Sequence, residues 1–173
     1  VLPIWNEAVV IEKKLHNLKR DYPVKTSLLV VDSASTDDSL DLVRKWINDN
    51  PEAFSTCNVL TMPERLGKTS AVKLAVEHLT SQSFSGLVLM TDADALIGPG
   101  VVVRMHGWFS NQTIGAVGCS ANRKTTLHGE HDYREMYEVL RSGESRKDST
   151  PFLEGSCMTV SYTHLTLPTI VSV

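Results

Sequence analysis

Residues 27–38 read Ser27-Leu28-Leu29-Val30-Val31 and then Asp32-Ser33-Ala34-Ser35-Thr36-Asp37-Asp38. The first part is a continuous apolar run, which a parallel strand needs when helices cover both of its faces. The second part is a polar loop, and its closing acids favour a helix start because they meet the positive end of the helix dipole. Leu40, Val43 and Ile47 follow at helical spacing, so the segment predicts a strand, a loop and a helix.

Short apolar strands and amphipathic helices alternate along the rest of the chain. Further strands are predicted at residues 2–4, 58–62, 86–90 and 114–119, and a long polar helix is predicted from about residue 131 to 147. This alternation predicts right-handed βαβ units and an open, mostly parallel sheet with helices on both faces. The predicted fold class is α/β, as a single three-layer α/β/α domain.

The first predicted helix has a distinct apolar stripe. Its apolar residues recur at spacings of three and four, at Ala8, Ile11, Leu15 and Leu18. The lysines of this helix are predicted to face away from the stripe, at Lys13, Lys14 and Lys19. Pro23 is predicted to end the helix.

The composition is that of a globular protein without a basic surplus. The chain has 173 residues, of which 42% are hydrophobic and 21% charged, and its formal net charge is −3. Nucleic acid is therefore excluded as a partner. No apolar run approaches the roughly 18 residues of a membrane-spanning helix, so membrane contact is expected only through segments outside this chain. Three cysteines far apart in sequence predict no disulfide framework and no four-cysteine zinc site, which indicates a reducing, cytoplasmic compartment.

Both ends of the sequence are unusual for a complete protein. The chain begins Val1-Leu2-Pro3-Ile4 without an initiator Met, and residues 161–173 contain no Asp, Glu, Lys or Arg. We expect residues 1–160 to form the native domain, truncated at both ends. Residues 161–173 are expected to be an atypical tail from a cloning or assembly join, with an ordinary terminal loop as the alternative.

Polar residues follow several predicted strands, where ligands bind in folds of this class. Asp32 ends the second strand, Asp92 and Asp94 end the fourth, and the loop of residues 64–69 follows the third. With the strand period of two, Asp92 and Asp94 point the same way. Their repulsion, roughly 4 kcal/mol at about 4 Å and an effective dielectric of about 20, is offset by a divalent cation. Mg²⁺ uses one or two carboxylates and completes its shell with water and phosphate oxygens. The alternative is a helix-capping aspartate beside a turn aspartate.

Other motifs are incomplete. Arg65-Leu66-Gly67-Lys68-Thr69 lacks the first glycine of a phosphate-binding P-loop, because Met62 stands there. Arg65 and Lys68 at a helix start can still bind a diphosphate, with an ordinary surface lysine as the alternative. His128-Gly129-Glu130-His131 lacks a third metal ligand at a suitable spacing. The chain has no Gly-x-Ser-x-Gly and, after its first strand, no Gly-x-Gly-x-x-Gly, which argues against Ser/His/Asp hydrolysis and dinucleotide binding.

Four segments stand in a distinctive order along residues 1–160. They are Pro3-Ile4-Trp5-Asn6-Glu7, Val30 to Asp37, Gly67-Lys68-Thr69-Ser70-Ala71 and Thr91-Asp92-Ala93-Asp94. In order and spacing they resemble the family 2 glycosyltransferases, whose fold is the nucleotide-sugar-binding type called GT-A. Two later stretches, Tyr133 to Arg141 and Glu144 to Ser156, resemble the acceptor-side half of the membrane-bound, polysaccharide-synthesising branch.

The resemblance implies that this chain binds a nucleotide sugar. Next to the nucleoside it implies Pro3, Trp5 and Glu7 around the base, and Asp32 at the uracil or ribose. This sequence departs from the family pattern at one position, because Ser33 stands where a second Asp is commoner in the family.

For the diphosphate the resemblance implies a cluster of charged residues. Arg65 and Lys68 would approach the nucleotide or diphosphate. Asp92 would lie beside the nucleotide sugar and the metal, and Asp94 would be the principal ligand of Mg²⁺ or Mn²⁺.

The reaction implied is an inverting transfer of a sugar, with a UDP-sugar favoured, to a glycan or lipid-linked acceptor. Gly155 and Ser156 would flank the acceptor sugar. The catalytic base of the family is an acidic residue that is expected beyond this chain. The fragment is therefore expected to bind nucleotide sugar and metal and to transfer poorly. The expected location is the cytoplasm, or the cytoplasmic face of the membrane for the full-length protein.

Two other functions stay open on the sequence. A sugar-phosphate nucleotidyltransferase would share the fold and metal, but it should carry a glycine-rich, arginine-containing loop where Trp5-Asn6-Glu7 stands. A non-enzymatic, Mg²⁺-binding flavodoxin-like module would explain the acidic strand ends. It would leave the Lys68 loop and the segment from Pro3 to Glu7 without a function.

Overall fold

The computed structural model describes residues 1–21, 26–119 and 156–162. Within these ranges strands and helices alternate, in the order β1 (Leu2–Ile4), α1 (Ile11–Asp21), β2 (Ser27–Asp32), α2 (Ser39–Asp49), β3 (Thr56–Thr61), α3 (Lys68–Ser81), β4 (Leu87–Thr91), α4 (Val101–Trp108), β5 (Ala116–Gly118) and β6 (Cys157–Ser161). The predicted alternation is confirmed over these ranges. The helix predicted from about 131 to 147, and Pro23, lie outside the described residues.

The strands form two hydrogen-bonded groups that meet at β1 and β4. In the first group β2 lies between β1 and β3 and is parallel to both. In the second, β6 lies between β4 and β5 and is antiparallel to both. The Val1 nitrogen donates to the Leu89 carbonyl (2.7 Å) and the Thr91 nitrogen donates to the Val1 carbonyl (3.2 Å), which is the parallel pattern. Because β5 and β4 both oppose β6, only β6 runs against the others among the described strands, and the mostly parallel sheet is confirmed.

Strand β2 shows why this sheet needs a helix layer on each side. Leu28 and Val30 pack in a core with α1, α2 and α4, whereas Leu29 and Val31 pack in a second core with α3. All four side chains are buried, and burying one such side chain contributes about 1.5–3 kcal/mol. The continuous apolar run thus arises because successive residues point to opposite faces and both faces are covered. The three-layer α/β/α class is confirmed.

Strand β6 is an element that the sequence pattern did not predict. Its five residues alternate buried and partly exposed positions only imperfectly, and its buried Thr159 is polar. Such a short, mixed segment has no clear strand period, and its pairing with β4 and β5 is what orders it. Ser161 belongs to this strand, and Tyr162 contacts Phe84 edge to face at 5.6 Å. The domain boundary between residues 160 and 161 stays a prediction.

The predicted orientation of Lys14 is wrong. This residue faces the core and its side chain is fully buried. It lies three residues after Ile11 and one turn before Leu18, so it shares their face of α1. A buried ammonium is tolerated only with hydrogen-bond partners, and Lys14 has two, both near the end of β4.

Two of the three cysteines meet in the fold despite their distance in sequence. The sulfur atoms of Cys119 and Cys157 are 3.4 Å apart, and the Cys119 nitrogen donates to the Cys157 carbonyl. All three cysteines are free thiols. Among the helices that the structure describes, none combines the length and apolarity required to cross a membrane.

Candidate functional site

Loops from the carboxyl ends of several strands meet at one edge of the sheet, as predicted. The Ser33 nitrogen donates to the Ile4 carbonyl (2.9 Å), which joins the ends of β2 and β1, and the Met62 nitrogen donates to the Asp32 carbonyl (2.8 Å), which joins β3 to β2. The loop after β4 begins where the Asp92 nitrogen donates to the Ser156 carbonyl (3.1 Å). Parallel strands thus place chemically different loops side by side.

The loops after β1 and β2, residues 5–8 and 33–38, are bonded to each other and are named the paired loops. Asn6 has a φ of 54°, a left-handed conformation that asparagine tolerates better than most residues. Its nitrogen donates to the Ser35 hydroxyl (3.0 Å), and its side-chain oxygen accepts from the Thr36 nitrogen (2.8 Å). Asn6 therefore acts as the bridge between the two loops.

A second set of bonds joins the paired loops to the start of α2. The Asp37 carboxylate accepts from the Ala8 nitrogen (3.1 Å), the Ser39 nitrogen (3.0 Å) and the Ser39 hydroxyl. The buried Ser39 hydroxyl in turn accepts from the Glu7 nitrogen (2.6 Å). Desolvation acts to raise the pKa of Asp37, but the hydrogen bonds from Ser39 and Ala8 hold it below its ordinary value. Ser39 was not among the residues predicted to belong to the site.

Asp32 is the last residue of β2, directly before the second of the paired loops, and it is almost fully buried. Both of its carboxylate oxygens lie within 3.3 Å of the Ser35 nitrogen, which donates to them. The neighbouring Ser33 hydroxyl is buried and has no hydrogen-bond partner among the described residues. Pro3 lies earlier, inside β1, where it pairs with Val31. The structure therefore brings Asp32 to the loops and leaves Pro3 within the sheet.

Trp5 and Arg65 come together from different loops. The Arg65 guanidinium carbon lies 3.3 Å from the centroid of the Trp5 ring, a cation–π contact. Trp5 is 37% exposed. An aromatic face and a guanidinium thus meet beside the paired loops, available to a planar or anionic ligand.

Lys68 is the first residue of α3 and faces the loop after β4. The preceding Gly67 has a φ of 84°, which favours glycine, and a Cβ there would meet no atom within 4 Å. Glycine is therefore needed for backbone conformation and not for space. The Lys68 ammonium forms an ion pair with the Asp92 carboxylate, with the two side chains 50% and 30% exposed. The start of α3 thus places a cation directly against Asp92, one of the two predicted metal-binding carboxylates.

Asp92, Ala93 and Asp94 open the loop of residues 92–97, which is named the triad loop. Strand β4 ends at Thr91, so the triad lies in a bend after the strand and the predicted strand period does not orient it. Ala93 is buried in the core, Asp92 is partly exposed and Asp94 is exposed. Burial raises the pKa of Glu7, and the charges of Asp94 and Asp92 raise it further. The carboxylates of Asp92 and Asp94 are therefore close enough to Glu7 for their charges to act on it.

The donor set fits a divalent cation that completes its shell with other ligands. In the part of the chain that the structure describes, no three His, Cys, Asp or Glu side chains converge on one point. Asp92 and Asp94 supply hard oxygen ligands, and Mg²⁺ commonly takes one or two carboxylates together with water and phosphate oxygens. His128 and His131 lie outside the described residues.

Helix α1 holds the triad loop from beneath. The Lys14 ammonium donates to the Thr91 hydroxyl (2.7 Å) and to the Ala95 carbonyl. One turn later, the Asn17 side chain donates to the Ile97 carbonyl and accepts from the Ile97 nitrogen, both at 2.8 Å. Burial lowers the pKa of Lys14 to about 8, against the opposing influence of Cys157, Asp92 and Asp94. Neither residue was predicted to belong to the site, although the spacing of Lys14 from Ile11 and Leu18 was a usable signal.

Ser156 touches the triad loop through its backbone. Its carbonyl accepts from the Asp92 nitrogen and from the Thr91 hydroxyl (both 3.1 Å), and the residue is buried. Gly155 lies outside the described residues. Of the two predicted acceptor-side residues, Ser156 is therefore next to the triad.

A separate cavity of about 500 Å³ lies near the amino ends of β2, β3 and β4. Its described lining includes Ser27, Thr56 and Leu87, and contains no Asp, Glu, Lys or Arg. An uncharged lining does not suit a phosphate or a divalent cation. The loop cluster at the carboxyl ends of the strands is therefore the candidate site.

A family model described as glycosyl transferase family 2 matches residues 1–164. Among solved structures, a mannosyltransferase from Pyrobaculum calidifontis, PcManGT, in complex with GDP-Man and Mn²⁺, is 34% identical with a TM-score of 0.77. The match covers 92% of this chain and 43% of the mannosyltransferase. None of the curated proteins matches this chain.

Two less similar structures show the fold alone. A structure of S. aureus TarS, residues 1–349 of that protein, is 20% identical with a TM-score of 0.56, and the match covers 72% of this chain and 37% of that structure. Glucosyl-3-phosphoglycerate synthase from Mycobacterium tuberculosis, in complex with Mn²⁺, UDP and glucosyl-3-phosphoglycerate, is 19% identical with a TM-score of 0.60. That match covers 94% of this chain and 55% of the synthase. This chain therefore spans about half or less of the length of these structures.

Proposed function

The chain belongs to glycosyl transferase family 2. We therefore propose that it binds a nucleoside diphosphate sugar together with a divalent cation, for transfer of the sugar to an acceptor. The observation that carries the proposal is the contact of Lys68, at the start of α3, with Asp92, from the loop after β4. This contact puts a cation beside one carboxylate of the predicted metal-binding pair, and binding of a diphosphate with its metal requires both kinds of group.

The paired loops are proposed to receive the nucleoside. Trp5 is exposed and already stacked with Arg65, so it offers a flat surface to a base. Glu7 lies two residues after Trp5, and Asp32 ends β2 directly before the second of the paired loops. Asp32 is proposed to contact the base or ribose, and the unpartnered Ser33 hydroxyl beside it supports a polar ligand there. Pro3 is proposed to shape the base site from within β1.

The diphosphate and cation are proposed to lie between α3 and the triad loop. Arg65 and Lys68 would bind phosphate oxygens, and Asp94, with Asp92 beside it, would hold Mg²⁺ or Mn²⁺. A cation held there would stabilise the negative charge that develops on the departing diphosphate. Lys68 contributes to the same stabilisation as a fixed positive charge at the helix start.

The acceptor is proposed to approach from the side of Gly155 and Ser156, and to be a glycan or a lipid-linked sugar. In the proposed inverting step, an acceptor oxygen bonds to the anomeric carbon while the bond from that carbon to the diphosphate oxygen breaks. The hydroxyl proton passes to a carboxylate base, which we assign to no residue of this chain. The cytoplasmic location of the reaction stays a prediction.

UDP and GDP are the two candidate nucleotides for the site. The family resemblance favours UDP, and the synthase from M. tuberculosis was solved with UDP. The more similar mannosyltransferase was solved with GDP-Man. We retain UDP as the favoured nucleotide and include GDP in the test.

The proposed function is tested by calorimetric titration of UDP and GDP into the chain, with and without Mn²⁺. We expect Mn²⁺ to strengthen binding of one nucleotide, and Asp94→Asn to abolish that gain. Asp49→Asn, at the exposed last turn of α2, is the matched control and should keep it. A folded wild-type chain that binds neither nucleotide with Mn²⁺ would contradict the proposal.

A further inference from the structure

The buried ammonium of Lys14 contacts both sides of the Asp92-Ala93-Asp94 triad. Its first partner, the Thr91 hydroxyl, belongs to the residue before the triad, and its second, the Ala95 carbonyl, to the residue after it. One side chain therefore spans the three residues that carry the two proposed metal-binding carboxylates. Because Lys14 projects from a helix packed in the larger hydrophobic core, this contact ties the triad to that core.

The Thr91 hydroxyl extends the same contact to Ser156, the residue before β6. It accepts from Lys14 and lies 3.1 Å from the Ser156 carbonyl, to which it donates. The Ser156 carbonyl also accepts from the Asp92 nitrogen. Lys14, Thr91 and Ser156 thus form a buried chain of hydrogen bonds that ends on the backbone of Asp92.

We propose that Lys14 is a positioning residue for donor binding. Its ammonium holds the triad loop in the conformation in which Asp92 and Asp94 bind the cation that accompanies a nucleoside diphosphate. Lys14 does not touch the donor itself. The inference rests on the proposed function for the identity of the ligand, and on the contacts of Lys14 for the mechanism.

A lysine suits this task better than an apolar residue of similar length. Two oxygen acceptors on opposite sides of the triad need donors from one point, and an ammonium supplies three. Its positive charge is also close enough to Asp92 and Asp94 to interact with both. It therefore reduces the repulsion between two carboxylates that stand together before a cation binds.

The tether is tested first without nucleotide, by amide hydrogen exchange over residues 92–97. In Lys14→Met we expect exchange of the Asp92, Ala95 and Ile97 amides to be about tenfold faster or more, with the Thr36 amide unchanged. Lys13→Met is the matched control, since Lys13 is the exposed neighbour on α1. Unchanged exchange in a folded Lys14→Met protein would overturn the tether.

If Lys14→Met does not fold, Thr91 provides a milder test. Thr91→Val removes the acceptor hydroxyl at nearly constant volume, whereas Thr91→Ser keeps it. We expect faster exchange over the triad loop in Thr91→Val and recovery of wild-type exchange in Thr91→Ser. Equal exchange in both variants would overturn the role of this hydrogen bond.

The link to donor binding is tested by the same titrations with Mn²⁺ and with EDTA. Residues that orient metal ligands change metal affinity by about 10–100-fold, so Lys14→Met should lose about tenfold or more of the Mn²⁺-dependent gain. Binding of nucleotide in EDTA should stay unchanged, because the paired loops are intact. If Lys14 had only a structural role, Lys14→Met would weaken nucleotide binding equally with Mn²⁺ and in EDTA, or would change neither. Either result would overturn the positioning role.

The two proposals fail in different ways. If wild-type chain binds no nucleotide while Lys14→Met still accelerates exchange, the proposed function is wrong and the tether stands. If wild-type chain binds with Mn²⁺ and Lys14→Met keeps the whole gain, the positioning role is wrong and the proposed function stands.

Discussion

The paired loops and the triad loop lie at the same edge of the sheet but are held in opposite ways. The paired loops are joined by bonds between their own residues, such as those of Asn6 with Ser35 and Thr36, and these bonds are exposed. The triad loop makes its main bonds to α1 beneath it, through Lys14 and Asn17, and these are buried or partly buried. One region is stabilised at the surface and the other from the interior.

The difference follows from how the acids of each region are balanced. The paired loops carry Glu7, Asp37 and Asp38, and the Asp37 carboxylate accepts hydrogen bonds from the Ala8 nitrogen of these loops and from the Ser39 nitrogen of α2. The triad loop carries two carboxylates, whose charges also act on Glu7. Like charges push a surface loop apart unless something fixes it, so the buried cation of Lys14 and the partly buried amide of Asn17 beneath the loop are the physical counterpart of the acids above it.

The largest effect is expected where the triad loop is anchored. Asn17→Ala removes two hydrogen bonds and leaves the Ile97 nitrogen and carbonyl without a partner beside a buried side chain. We expect a loss of about 2 kcal/mol in the free energy of unfolding, measured by urea denaturation. Lys13→Ala on the exposed face should change it by less than about 0.5 kcal/mol. Equal losses in the two variants would mean that the anchor contributes no stability.

A smaller, pH-dependent effect is expected in the paired loops. Asp37→Ala should cost about 1 kcal/mol near pH 7, because the Ser39 and Ala8 nitrogens lose their acceptor. The pKa of folded Asp37 is below its ordinary value of 3.8. Its contribution is therefore present above that pH and is lost as the pH falls through the folded pKa.

Two variants control the Asp37 measurement. Asp38→Ala removes a neighbouring acid whose side chain makes no capping hydrogen bond, and it should show little loss. Asp37→Asn keeps an acceptor oxygen that does not titrate, so the wild-type protein should approach it in stability as the pH falls below 3.8. A stability difference that is constant with pH would contradict the assignment.

The smallest effect is expected at the contact of Trp5 with Arg65. A double-mutant cycle of Trp5→Leu and Arg65→Gln should give a coupling of about 0.5–1 kcal/mol in the free energy of unfolding, because an exposed cation–π pair is weak. The same cycle measured on nucleotide affinity should give a larger coupling if the pair forms the base platform. No coupling in either measurement would show that the stacking contributes neither to stability nor to nucleotide affinity.

The strands and helices near the site were predictable because their patterns are local. The run from Leu28 to Val31 predicted a strand covered on both faces, and the alternation of such runs with helices predicted the parallel sheet. Asp32, Lys68 and Asp92 were predicted to lie at one edge of the sheet because each lies at or after the carboxyl end of a predicted strand. Strand β6 was missed because its order comes from its neighbours, and a five-residue segment with a buried threonine carries little periodic signal.

Charge misled the prediction for Lys14. A lysine is rarely buried without partners, and its partners, Thr91 and Ala95, lie about eighty residues away in sequence. The residues near Lys14 in the sequence therefore do not indicate these partners. The same holds for Cys119 and Cys157, which are distant in sequence and 3.4 Å apart in the fold.

The residue types and their order along the chain thus determine which loops carry acids, which carry cations and which strand ends they follow. Which acid meets which cation depends on the packing of α1, α3 and β6 around the ends of β1, β2 and β4. Local patterns arise from backbone period and burial, and these act over a few residues. The contacts of Lys68 with Asp92 and of Lys14 with the triad loop join residues far apart in sequence, and they arise only when the sheet and its helices bring those residues to one edge.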